Sequence, residues 1–135
     1  MSRTVMTFSD AGAHTTQIID VCLATHLLSY WARDKGAFTI EQAVQMVTLA
    51  PARAWGFADR GLLQPGMAAD LNLIDLKSLD PGLPGVARDL PASAKRLVMK
   101  PNGIKKTLVG GQVLFEDCEH TGALPGKLLR RAPSA

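Results

Sequence analysis

The spacing of apolar residues changes at Phe57, and that change limits the folds open to this chain. Before it the pattern is helical. Ile18, Val21, Cys22, Thr25, Leu28 and Trp31 recur every three or four positions, from a capping pair Thr15-Thr16 to Gly36, which predicts a helix of about five turns. Thr39-Ile40-Glu41-Gln42 then has the form of a capping box and leads into Ala43, Val44, Met46 and Val47. Pro51 either ends that second helix or opens a third, which runs to a stop at Gly56. After Phe57 the pattern is that of strands. Gly61, Pro65 and Gly66 cut the chain into short pieces, and Asp70 to Asp75 alternates as a half-buried strand does. The Pro-rich stretch from Asp80 to Ala92 reads as a loop, and Arg96 to Met99 as another strand. Lys105 to Val109 and Gln112 to Glu116 flank Gly110-Gly111, the signal of a two-residue hairpin. The tail from Asp117 is rich in Gly and Pro and is expected to lie over other surfaces.

Size and composition narrow the choice. With 135 residues, 47% of them hydrophobic and 20% charged, the chain can build a core, but a complete (β/α)₈ barrel takes about 250 residues. The net charge of +3 is spread along the chain and only seven aromatic residues accompany it, which is not a nucleic-acid footprint. Two cysteines, Cys22 and Cys118, make no disulfide framework, so a reducing cytoplasm is the expected setting. No basic-then-apolar leader follows Met1, and no apolar run approaches the roughly 20 residues of a membrane helix, so no membrane partner is expected. A Gly-rich phosphate loop and a Gly-x-Ser-x-Gly elbow are both absent.

The chemistry-bearing residues cluster near the start. Thr4 to Phe8 reads as a buried strand that stops at Ser9-Asp10-Ala11-Gly12, with His14 just beyond. An aspartate at a strand end is where a barrel enzyme places a group that binds metal or moves a proton. On the motif alone, the plainer reading is that Asp10 caps the turn and His14 closes it. Cys22 and His26 share a helix face, but a small apolar thiol beside a packed histidine is the better account of them. Tyr30 and Trp31 belong to the apolar stripe of the first helix, as core or as a surface facing a barrel.

Ser9-Asp10-x-Gly12-Ala13-His14 resembles the end of the eighth barrel strand in N-acyl-D-amino-acid deacylases, a family of metal-dependent amidohydrolases. Arg33-Asp34-Lys35-Gly36 and Leu49 to Arg53 are similar to that family's following helices. Gly61-x-x-x-Pro65-Gly66-x-x-Ala69-Asp70-Leu71 resembles the wider superfamily, and Phe115 to Gly126 resembles the deacylase branch in particular. Cys118 stands where the resemblance leads one to expect glycine. The resemblance implies that Asp10 is the catalytic residue, touching the metal or its water and serving as general base and acid, and that Ser9 and His14 bind substrate. It implies zinc in the intact parent enzyme and a small-molecule N-acyl-D-amino acid as substrate. The family's His-x-His pair and its other metal ligands have no counterpart in this sequence, so the chain is expected to be inactive alone, and His120 is expected to be structural.

The expected architecture is α/β: residues 1–57 as the last strand and helices of a TIM-barrel amidohydrolase, and residues 58–135 as part of a small β-sandwich with a tail. The competing readings are a non-catalytic structural module that associates with itself, and a fragment of a cyclic-amide hydrolase of the dihydroorotase or hydantoinase type. Faces that would pack on a barrel would be exposed here, so a homo-oligomer is expected.

Overall fold

A computed structural model describes residues 9–12, 16–17 and 20–130. The strand expected over Thr4 to Phe8 lies outside the described residues, as do Ile18 and His14. The first helix is shorter than its periodicity suggests. α1 (Leu23–His26) passes directly into a π-helical segment (Leu27–Asp34), while Thr16 and Gln17 sit in a turn. Burial explains the late start. Val21 is half exposed, whereas Leu27, Leu28 and Ala32 enter the core. The π segment keeps its backbone paired through longer steps, such as Lys35 N to Tyr30 O at 2.9 Å, and the buried Ser29 hydroxyl donates to Thr25 O at 2.8 Å. Tyr30 and Trp31 are outside the core, which corrects one of the two expectations for them.

α2 (Ile40–Val47) opens with the full capping box: Thr39 Oγ1 accepts from Gln42 N–H, and Gln42 Oε1 accepts from Thr39 N–H. Ala43, fully buried, sets α2 against the π segment. In α3 (Leu49–Trp55), Pro51 occupies the first turn, where its missing N–H costs nothing, and Gly56 ends the helix with a left-handed φ of 76°.

Four antiparallel strands form the main sheet in the order β1 (Leu71–Ile74), β4 (Ile104–Val109), β5 (Gln112–Glu116), β6 (Glu119–His120). A separate pair joins β2 (Pro84–Ala87) to β3 (Arg96–Met99), with Pro84 opposite Met99 and Ala87 opposite Arg96. β2 lies inside the expected loop. The backbone of β3 needs a partner, and proline is tolerated at the first residue of an edge strand. Burial along β1 does not alternate as expected: Leu71, Asn72 and Leu73 are exposed, Leu73 at 57%, and Ile74 alone is half-buried. The tail begins by pairing β6 with β5, but beyond it Leu124 and Leu128 are 86% and 79% exposed, so that part of the described tail covers little.

Helices and sheet meet at Leu79, in the loop after β1, which is 1% exposed among Leu27, Leu28, Ala32 and Ala43, with Ile74 and Ile104 packed alongside. Gly103 makes room for it. A Cβ at Gly103 would lie 2.7 Å from the Leu79 backbone and 2.8 Å from Asp75 O, and its φ is +81°. Arg33 fastens the loop from the helical side, its Nη1 donating to Leu76 O at 3.0 Å and Leu79 O at 2.6 Å. The mixed α/β architecture is thus held by one shared core. No described helix is long and apolar enough to cross a membrane. Leu79→Ala is expected to destabilise the chain by about 2–5 kcal/mol, read as a lower urea midpoint, because the site is closed on all sides and cannot collapse around a cavity.

Candidate functional site

The segment carrying the candidate residues is a tight loop. Ser9 Oγ accepts a hydrogen bond from Ala11 N–H at 3.2 Å, and Gly12 has a φ of 93°. Ser9, not Asp10, therefore supplies the side-chain acceptor that closes the turn, and the Asp10 side chain is left exposed to solvent. His14 lies outside the described residues, so no geometry joins it to Asp10. Among the described residues no group of three His, Cys, Asp or Glu side chains could hold a metal ion. Structural zinc sites take four protein ligands and catalytic ones three, so the described donors do not by themselves fit that ion. Beside Ala11 and Gly12 opens a cavity of about 530 Å³ whose far wall is the backbone and side chains of β3 with Phe115 and Cys118.

Residues that the sequence marks strongly turn out to brace the fold. Arg60 grips Asp59 through Nε and Nη2, each at 3.1 Å, and reaches Asp70 with Nη1 at 2.5 Å. Asp70 Oδ1 in turn accepts from Gly110 N–H at 2.9 Å, and Ala69 O accepts from Gly111 N–H at 2.9 Å. The Gly61 to Leu71 motif therefore pins the β4–β5 turn, in which Gly110 and Gly111 both have positive φ. Gly61 itself packs on α3, where a Cβ would come within 3.0 Å of Ala52 Cβ and Leu49 Cα. Sequence reasoning gave Arg33 and Arg60 no role. Arg33 stands within a shared motif and Arg60 just before one, and besides its neighbouring aspartate each has a partner 10 to 46 residues away.

His26 stacks on Tyr30 with ring centroids 5.0 Å apart and 11° between planes, while Cys22 lends only its carbonyl to His26 N–H. His120 accepts from Gly122 N–H through Nδ1 at 2.9 Å and meets the Phe115 ring edge-on. Both histidines thus make contacts within the fold. At the β5–β6 turn Asp117 and Cys118 have φ of 45° and 65°, the pair of left-handed residues that favours glycine second. Cys118 accepts that strain, and its Sγ donates to Pro101 O at 3.1 Å.

A family model described as the amidohydrolase family matches residues 2–114. An N-acyl-D-glutamate deacylase of Alcaligenes xylosoxydans xylosoxydans is 34% identical over 110 residues, which is 82% of this chain and 20% of that protein. A D-aminoacylase of the same organism is 32% identical over 105 residues, 78% of this chain and 20% of the relative. The chain thus spans about one-fifth of the length of the curated relatives it matches. A solved D-aminoacylase mutant in complex with copper chloride superposes with a TM-score of 0.65 at 31% identity, covering 80% of this chain and 21% of that one. A second D-aminoacylase structure, concerned with the functional role of its binuclear metal center, gives 0.59 at 31% identity, over 74% of this chain and 19% of that one.

The arginine grips set the response to acid. Hydrogen bonding from Arg60 holds the Asp59 carboxyl below its ordinary range, and Arg33 and Arg96 do the same for Asp34 and Asp89. Each carboxylate binds its proton less readily folded than unfolded. Its contribution is present above the unfolded value near 3.9 and is lost as pH falls through the lower folded value. Thermal melts are expected to shift downward from about pH 4 toward pH 2, and Arg60→Met is expected to flatten that dependence. An acid limb of unchanged steepness in Arg60→Met would show that this grip does not couple to folding.

Proposed function

Because the chain belongs to the amidohydrolase family, we propose that it is part of a metal-dependent hydrolase that splits N-acyl-D-amino acids into a carboxylate and a free D-amino acid. The observation that carries this reading is the pair of deacylase relatives, each aligned over about four-fifths of the chain at about one-third identity. In the same reading, residues 1–57 supply the last strand and outer helices of a barrel and residues 58–135 part of a small β-sandwich. The exposed Trp31, Trp55 and Leu63 fit surfaces that other parts of a longer protein, or further copies of the chain, would cover.

Asp10 is the proposed catalytic residue. An exposed carboxylate on a loop turned by its neighbour is free to reach a substrate amide. Hydrolysis adds water oxygen to the acyl carbon and breaks the C–N bond. Asp10 would take the proton from the water and return it to the leaving amine. Ser9 and His14 are the proposed substrate contacts. Zinc is the proposed ion, with Asp10 as one ligand, and the solved relative with a binuclear metal center supports a metal in the whole enzyme. Since the described donors of this chain do not make a site for it, the isolated chain is proposed to be inactive.

A dihydroorotase of Ligilactobacillus salivarius (strain UCC118), 46% identical over 41 residues or 30% of this chain and 10% of that protein, supports the cyclic-amide reading over a shorter stretch. The test is release of D-amino acid from N-acetyl-D-amino acids by the longest in-frame protein that contains this sequence. Turnover is expected, and Asp10→Asn is expected to lower kcat by about 10²–10⁴. Ring opening of cyclic amides with no action on linear ones would overturn the proposal.

A further inference from the structure

β1 is an outer strand of the main sheet, paired with β4 on one side and, among the described residues, with no strand on the other. The phase of the ladder says which of its backbone groups face out. The Gly110-Gly111 turn closes on the pair Val109 and Gln112, and Asp117 N–H donates to Lys105 O at 2.8 Å, so the odd-numbered residues of β4 turn their backbone toward β5. Lys106 and Leu108 therefore turn theirs toward β1, where their partners are Leu73 and Leu71. That leaves Asn72 and Ile74 to present their N–H and C=O groups at the open edge. The bond from Asp75 N–H to Gly103 O, at 2.8 Å, has the same phase. Edge strands are commonly blunted by lysine, proline or an inward charge, and Leu71-Asn72-Leu73-Ile74 has none of these. Its two leucines are instead 36% and 57% exposed.

We propose that this edge pairs with the same edge of a second copy of the chain, β1 antiparallel to β1 about a two-fold axis at Asn72, so that the two main sheets join into one. The strand is complementary to itself in this register. Outward backbone groups meet only when an even-numbered residue lies opposite another even-numbered one. That rules out Asn72 opposite Leu73 of the second copy, a register that would also set Asp70 against Asp75. With the axis at Asn72, the two Asn72 residues exchange a pair of hydrogen bonds, and Ile74 exchanges another pair with Asp70 of the second copy. Leu71 then lies opposite Leu73 of the second copy in a non-hydrogen-bonded pair, where side chains approach most closely, and all four exposed leucines gain an apolar neighbour. Moving the axis to Leu73 would set Leu71 against Asp75 instead. Asp70 adds no repulsion at the ends, because Arg60 of its own copy holds it at 2.5 Å.

The paired stretch is short, and interfaces below about 1,200 Å² are weak, so the dimer is expected to form and dissociate with concentration. Sedimentation of the 135-residue chain over a concentration series is expected to show its mass rising from one copy toward two. Leu73→Lys, at an exposed side chain and so tolerated by the fold, is expected to weaken dimerisation roughly tenfold or more, since lysine guards a sheet edge against pairing. Trp31→Lys, on the helical surface, is expected to leave it unchanged. Amide hydrogen exchange reads the register without any variant. As concentration rises, the Asn72 and Ile74 amides are expected to gain protection, while Leu71 and Leu73, already bonded to β4, keep the protection they show when dilute. A chain that stays monomeric at its highest soluble concentration overturns the proposal. So does a dimer that Trp31→Lys breaks and Leu73→Lys does not, or one in which Asn72 and Ile74 exchange no more slowly. Full protection of Asn72 in the dilute monomer would show that another segment of the same chain already fills the edge, and overturns it too.

Discussion

The burial of Leu79 is the constraint on which the rest of the structure depends. Among the described residues it is the largest fully buried side chain, it lies where the helices before Phe57 and the strands after it share a core, and it comes from a loop, not from either kind of element. Three features converge to hold it: a glycine at Gly103 that leaves room for its backbone, the Arg33 guanidinium that binds its carbonyl, and Ala32 and Ala43, whose small side chains bring the π segment and α2 close. Arg33 can do this because it sits at the end of a π segment whose Asp34 carboxylate steadies the other edge of the guanidinium. Few other side chains are buried as deeply, so stability is concentrated at this joint.

Local signals were legible in the sequence, and distant ones were not. The Thr39 capping box, the stop at Gly56 and the Gly110-Gly111 turn each depend on residues within four positions, and each is found where the pattern places it. The start of the first helix follows burial, which spacing cannot show. β2 was hidden among prolines because its partner β3 lies about a dozen residues on. Leu79 looked like one more apolar residue beside a Pro-rich loop.

The candidate site divides in a similar way. Asp10 is identified by resemblance and by its place on a loop whose turn Ser9 closes, which leaves its carboxylate exposed. The other motifs of the resemblance prove to hold shape: Arg33-Asp34 clasps the Leu79 loop, and the stretch from Asp59 to Asp70 clasps the central hairpin. A motif shared across a family marks what the fold needs as readily as what the chemistry needs, and only coordinates separate the two. Shared ancestry with amidohydrolases is therefore secure in the framework, while the catalytic reading rests on a short loop within it.

Native-state hydrogen exchange tests the shared-core account most directly, by following the Ala43 amide in α2 and the Asp75 amide that donates to Gly103 O after β1. If one core joins helices and sheet, Arg33→Met lowers protection at both amides by the same factor. Loss at Ala43 with Asp75 unchanged would show that the two halves open independently, and would contradict it.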